Sequence, residues 1–205
     1  MAINSKVDLC NMAVGRLGNF SSVNNIDTPS SDIEITCALW YDISRQTFLK
    51  MTMPNFALAR KRVSKVVETP PYPFKHSYEY PSDCLKVLGI GAVEDKRNDY
   101  TVESNRIYTD VDYTDGLPLR YIKDIKDVNK MSPEWKMGFT WFLAGNVGFD
   151  ITQDMKKVQM IEQLLPQKIS ELSGVNAQEN RPIRISRSKF KAARYSGFPR
   201  NEDKR

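Results

Sequence analysis

One histidine, three cysteines and a scatter of carboxylates are the side chains from which this 205-residue chain could build a reactive centre. His76 would have to serve any imidazole chemistry alone, because neither a Gly-x-Ser-x-Gly nucleophile nor a cysteine stands near it in sequence. Cys10, Cys37 and Cys84 form no Cys-x-x-Cys pair, and together with His76 they lack the spacing of zinc ligands. Their odd number and apolar surroundings point to free thiols in a reducing compartment. Asp110, Asp112 and Asp115, or Glu94 with Asp95, lie close enough in sequence to divide acid and base roles as in glycoside hydrolysis, but their polar, turn-like context reads as solvated loop. Gly89-Ile90-Gly91 starts like a dinucleotide fingerprint, yet neither a third glycine nor a helix signal follows, so a strand running into a loop is expected. These readings predict a protein that is not an enzyme and that needs no cofactor and no metal.

The densest chemistry is cationic. Residues 181–205 hold nine basic side chains (Arg181, Arg184, Arg187, Lys189, Lys191, Arg194, Arg200, Lys204 and Arg205) against two acids, whereas the other 180 residues hold 21 basic and 23 acidic ones. All of the net charge of +5 therefore comes from the tail. Interleaved with it are Ile183, Ile185, Phe190, Tyr195 and Phe198, more apolar surface than a solvating tail requires and too little for a core. The expectation is a docking arm for a partner. Ile183-Arg184-Ile185 alternates as a strand would and suits β-addition, with the aromatic residues as anchors.

The elements that would carry such an arm are legible from caps and periodicity. Ser5…Asp8 and Ser31…Glu34 are capping boxes. The first opens a helix over about 5–17 with Val7, Cys10, Val14 and Leu17 inward, and the second opens a helix to about Lys50 with Ile33, Cys37, Trp40, Tyr41, Ser44 and Phe48 on one face. Pro54 ends that region, and the segment from Phe56 to Val67 reads as a strand. After Pro70, Pro71 and Pro73, helix gives way to strands at His76–Tyr80, Leu85–Ile90, Tyr100–Glu103, Arg106–Thr109 and Leu119–Ile125, with a tight turn at Ser104-Asn105.

Ser132-Pro133-Glu134 restarts helix to about Phe149. Trp135, Met137, Phe139, Trp141, Phe142, Leu143 and Val147 cover nearly its whole circumference, so burial all round is expected, one side by the chain and the other by a neighbouring subunit. Trp135, Phe139, Trp141 and Phe142 are the subunit-packing candidates. A last helix, about 152–176, turns Met155, Val158, Ile161, Leu165, Ile169 and Leu172 inward and should kink at Pro166. The predicted class is α+β: a helical bundle built from 1–53 and 131–180, a central antiparallel β insertion at 54–130, and an extended basic arm at 181–205. The sequence carries no basic leader followed by an apolar run and nothing near the roughly 18 apolar residues of a membrane span, which predicts a protein made in a cytoplasm.

Three stretches resemble a family. Asn11-Met12-Ala13-Val14-Gly15-Arg16-Leu17-Gly18 is followed by Ile26-Asp27 and the helix to Trp40-Tyr41-Asp42. Tyr78-Glu79-Tyr80-Pro81-Ser82-Asp83-Cys84-Leu85-Lys86-Val87 is similar to a Tyr-x-Tyr-Pro-Ser-Asp-Cys-Leu-Arg-Val pattern, and Arg120-Tyr121-Ile122 leads into the last two helices. Over residues 5–180 the chain thus resembles the tail tubular protein A family, the head-to-tail adaptors of short-tailed bacteriophages. It departs from that pattern at Pro54-Asn55-Phe56-Ala57, where the family often has Pro-Trp-x-Phe-Ala.

The resemblance implies a structural subunit of a ring, usually of twelve copies, placed in the virion at the head-to-tail junction. It also implies a portal protein above, reached by the C-terminal arm, a tail nozzle protein below, and genome DNA crossing the channel without sequence-specific binding. Two other readings stay open: a nucleic-acid-binding protein whose tail contacts phosphates, and a tail-associated cell-wall hydrolase.

Overall fold

Both N-terminal capping boxes form. The Ser5 hydroxyl accepts from the Asp8 N–H at 3.1 Å while the Asp8 carboxylate accepts from the Ser5 N–H at 3.0 Å, opening α1 (Lys6–Arg16). Ser31 and Glu34 repeat the device at the start of α2 (Asp32–Thr52), which ends where Met53 turns left-handed ahead of Pro54. Ser132 accepts from the Trp135 N–H, and Pro133 occupies the first position of α3 (Pro133–Thr152). Left-handed Gln153 separates α3 from α4 (Met155–Gln178), which continues through Pro166 as one element.

The computed structural model describes residues 3–18, 21–91 and 100–178. Among them the chain is α+β, with four α-helices and two small antiparallel sheets. All six strands fall in sequence between α2 and α3. One sheet has the order β1 (Leu58–Val63), β6 (Leu117–Lys123), β3 (Cys84–Ile90); the other has β2 (His76–Glu79), β5 (Arg106–Thr109), β4 (Tyr100–Glu103). Ser104 and Asn105, both at positive φ, make the two-residue turn between β4 and β5, the geometry that matches strand twist.

Two apolar clusters divide the interior. The larger lies among the helices, where α3 is packed by α1, α2 and α4. Gly148 makes part of that approach possible, since a Cβ there would come within 3.1 Å of both Leu17, just past the end of α1, and Val158 of α4. The smaller cluster fills the space between the sheets, with Val63, Leu117, Leu119 and Tyr121 of one meeting Tyr78 and Ile107 of the other. Ile122, Leu58 and Leu88 tie the first sheet to the helical cluster from its opposite face.

The differences from the sequence reading have local causes. The strand expected from Phe56 begins at Leu58, because Asn55–Ala57 first make a 3-10 turn behind Pro54. Met155, expected inward, stands exposed in the first turn of α4, with Val158 and Ile161 carrying the buried face. Within the chain, the third helix is buried on one side and leaves Met137 and Phe149 exposed. Because α3 has an inner and an outer side, truncations along it separate cleanly: Phe139→Ala should lower the free energy of unfolding in urea by about 3–5 kcal/mol. Met137→Ala should change it by less than about 0.5 kcal/mol.

Candidate functional site

The aromatic residues of α3 sort into two environments. Trp135 and Phe139 are buried in the chain's own core, stacked at 5.2 Å between ring centres and 8° between planes, with the Trp135 indole donating to the Thr52 hydroxyl at 3.0 Å. Phe48 of α2 covers both. Both candidates thus lie in the chain's own interior, because a helix laid across α2 must first satisfy that contact. Phe142, half-buried, stacks on Phe48 at 5.3 Å and belongs with them. Of the four, Trp141, half-buried, is the one that reaches a groove at the surface. The Arg16 guanidinium lies 4.2 Å from its ring centre, and Arg16 Nε donates to the Thr140 hydroxyl at 2.9 Å.

Trp141 forms the wall of a groove of about 400 Å3 where α1, α3 and α4 meet. Met137, Gly138 and Leu172 supply its apolar lining, and Arg16, Glu134, Lys168 and Glu171 line it as well. On another side of the helices, α2 presents Ile35, Leu39 and Ile43 to solvent, 45%, 68% and 62% exposed. These three positions recur at i, i+4 and i+8 and so form one stripe along the helix. Asp32 and Lys50 stand exposed toward its two ends. The sequence reading assigned a single buried face to α2 and passed over this second stripe, although its spacing was visible. Trp40, placed on the buried face by that reading, sits 37% exposed, with its indole donating to Asp150 at 3.2 Å.

Beneath α2 lies a polar network for which the sequence offered no signal. The Arg45 guanidinium, only 1% exposed, pairs with the Asp124 carboxylate at the end of β6 and with Asp42 at 3.0 Å, and donates to the Ile125 carbonyl at 2.8 Å. Asp124 in turn donates its backbone N–H to the Asp83 carbonyl at 2.8 Å. The Asp83 carboxylate accepts from the Tyr121 hydroxyl at 3.2 Å and pairs with Lys123 at 3.1 Å. Asp83 and Tyr78 both belong to the segment 78–87 that carries the family resemblance. The Tyr78 hydroxyl is buried between strands and accepts from the Tyr113 N–H at 2.8 Å. The segment is thus a structural corner.

At the other end of α2, Glu34 gathers the loop that precedes the helix. Its carboxylate accepts from the backbone N–H groups of Asn24, Asn25 and Ser30 at 2.7–3.2 Å and from the Ser30 hydroxyl at 2.9 Å. Those donors, led by the Ser30 N–H, hold its pKa down to about 2.

The residues first considered for chemistry are dispersed. Cys10 and Cys37 are both buried, and the neighbouring Cys37 thiol together with burial pushes the Cys10 thiol up; Cys84 is buried at the sheet. His76 stands half-buried on β2. Asp112 pairs with Lys65 at 2.8 Å, and Asp110 accepts from the Lys75 N–H at 3.2 Å. Ile90 closes β3 and Gly91 follows at positive φ, the strand end expected there. Among the described residues no three metal-ligating side chains come together, and no helix is long and apolar enough to cross a membrane. Glu94 and Asp95 lie outside the described residues. So do all the arm positions, Arg181, Ile183, Arg184, Ile185, Arg187, Lys189, Phe190, Lys191, Arg194, Tyr195 and Phe198.

Because the folded pKa of Glu34 lies below its ordinary value of 4.5, its ionised form stabilises the fold above that pH, and the contribution disappears as pH falls toward 2. Glu34→Gln should therefore lower the melting temperature at pH 7. Its deficit relative to the unaltered chain should close between pH 4.5 and 2 in a calorimetric series, and a deficit independent of pH would contradict this role. Comparison with known proteins brings no identification, as neither a protein-family model nor a curated protein matches the chain.

Proposed function

We propose that this chain is a non-enzymatic ring subunit of a head-to-tail adaptor in a short-tailed bacteriophage. Its helices serve as a bundle into which the strands are inserted as the central β portion, and its basic C-terminal arm anchors the ring on the portal protein. The tail nozzle protein sits below, and genome DNA is retained and then conducted through the ring. The phage assignment is supported by the resemblance over residues 5–180, above all Tyr78–Val87.

The observation that carries a ring is the pair of unlike apolar surfaces on one chain. The α2 stripe of Ile35, Leu39 and Ile43 is a ridge, whereas the Met137–Trp141–Leu172 groove is a recess on another side of α3. A ridge of one copy can seat in the recess of the next, and such a pairing of unlike surfaces is head-to-tail. Repetition of such a head-to-tail contact closes into a ring when the rotation allows. The apolar stripe also has a cost in solution that burial against a neighbour removes, roughly 25 cal/mol per Å2 of apolar surface.

Two experiments test the reading. Leu39→Glu should leave the thermal unfolding of the isolated chain nearly unchanged and abolish its concentration-dependent assembly in analytical ultracentrifugation; assembly at undiminished strength would remove α2 from the interface. Truncation after Asn180 should give a folded chain that no longer co-sediments with portal rings. Full retention on portal by the truncated chain would rule out the arm as the anchor.

A further inference from the structure

The two sheets treat charge differently. In β2–β5–β4, Arg106 stands in register between Glu79 and Glu103, the arrangement that favours cross-strand pairing. In β1–β6–β3, Arg60 stands directly opposite Arg120, and Arg62, two residues along β1, falls on the same face by strand alternation. Arg60 and Arg62 are exposed and Arg120 is half-buried. None of the three makes an ion pair among the described residues, and Arg62 donates only to the backbone carbonyl of Asp115, at 3.3 Å.

Like charges directly opposite destabilise a sheet. A sequence that breaks a local rule in this way tends to do so where it works. Gly89 extends the row across the third strand: it pairs with Arg120, adjoins a register shift between Val87 and Gly89, and a Cβ built on it would meet nothing within 4 Å. A glycine in open space within a strand leaves backbone accessible to a ligand, and bulges recur beside binding sites. This face is opposite the one that Val63, Leu117, Leu119 and Tyr121 turn to the second sheet; its Leu58 and Ile122 end packs on the helical cluster, and beyond that end Arg60 and Arg62 stand exposed.

We infer that the row of Arg60, Arg62 and Arg120 beside the bare backbone of Gly89 is a docking surface for nucleic-acid phosphates, read without regard to sequence. Guanidinium forks bind phosphate oxygens in pairs, which suits arginine better than lysine to the task. The three are spread rather than convergent, with neighbouring strands about 4.8 Å apart and alternate residues about 6.6 Å apart along a strand. That layout meets a repeating polyanion, where a single phosphate would call for a closed cradle. The inference rests on the adaptor reading only for duplex DNA as the natural occupant, and it gives that reading a surface on the body of the subunit that faces the genome.

The test is a salt titration of the full-length chain with a short DNA duplex, followed by fluorescence anisotropy. Against the unaltered chain, R60Q/R62Q/R120Q should make the slope of log affinity on log salt shallower by about 2–3, at about 0.9 for each phosphate no longer neutralised. Its melting temperature should stay level or rise, because the opposed charges are gone. Gly89→Glu places a carboxylate beside Arg120 in open space and should weaken binding without unfolding, which keeps the test decisive if the triple variant fails to fold. An unchanged slope in both variants overturns the inference. Binding to polyglutamate that falls as steeply as binding to DNA in R60Q/R62Q/R120Q would also overturn it, reassigning the face to an acidic protein. Portal co-sedimentation separates the two claims. If the unaltered chain ignores portal while the slope change persists, the adaptor reading falls and the phosphate surface stands. Portal binding with an unchanged slope removes the surface alone.

Discussion

A guanidinium that is 1% exposed must be surrounded by acceptors, and Arg45 finds them on two elements that are distant in sequence. Asp42 lies one turn away on its own helix, but Asp124 and the Ile125 carbonyl come from the far end of the strand region, 79 and 80 residues on. Loss of either side would leave a buried or half-buried charge without a partner, the most costly outcome for an ion pair inside a protein. The pair therefore permits one placement of β6 against α2. From Asp124 the connection runs through the Asp83 carbonyl and the Asp83 carboxylate to Tyr121 and Lys123. The corner at residues 78–87 is held to the helices by a continuous chain of polar contacts.

The helices follow from that placement. With α2 fixed, its Phe48 supplies the floor on which Trp135, Phe139 and Phe142 of α3 assemble, and the Trp135 indole finds its acceptor in Thr52 at the end of the same helix. The core is aromatic because three helices meet α3 and wide rings fill the irregular space between them. The aliphatic residues left on the outside of α2 take no part in that core.

Charge is arranged with the same division. Where the chain needs internal order it pairs charges, as with Arg45 and Asp124, Lys65 and Asp112, and Lys123 and Asp83. On the face of β1 and β6 that also carries Leu58 and Ile122, beyond their contact with the helices, it sets Arg60 against Arg120. The cationic tail stands out by composition, since the rest of the chain carries a slight excess of acid. That balance is an average over all directions, and the sheet concentrates positive charge on one of them.

What the sequence determined unaided were the features whose cause lies within a few residues. Capping boxes at Ser5 and Ser31, the Ser132-Pro133 helix start, the paired turn at Ser104-Asn105 and the strand run from His76 to Lys123 all depend on local hydrogen bonds, fixed φ angles and period-two patterning. Which face of a helix is inside was legible where one stripe dominated, as in α1, and ambiguous where two competed, as in α2, or where no polar side marked the outside, as in α3. Only the tertiary structure decided that Trp135 and Phe139 belong to the chain's own core, that Arg45 reaches Asp124, and that Arg60 meets Arg120. Each of these depends on the meeting of residues about 60 to 90 positions apart, and such a meeting is set by strand register and helix packing, which leave no mark in the spacing of either segment.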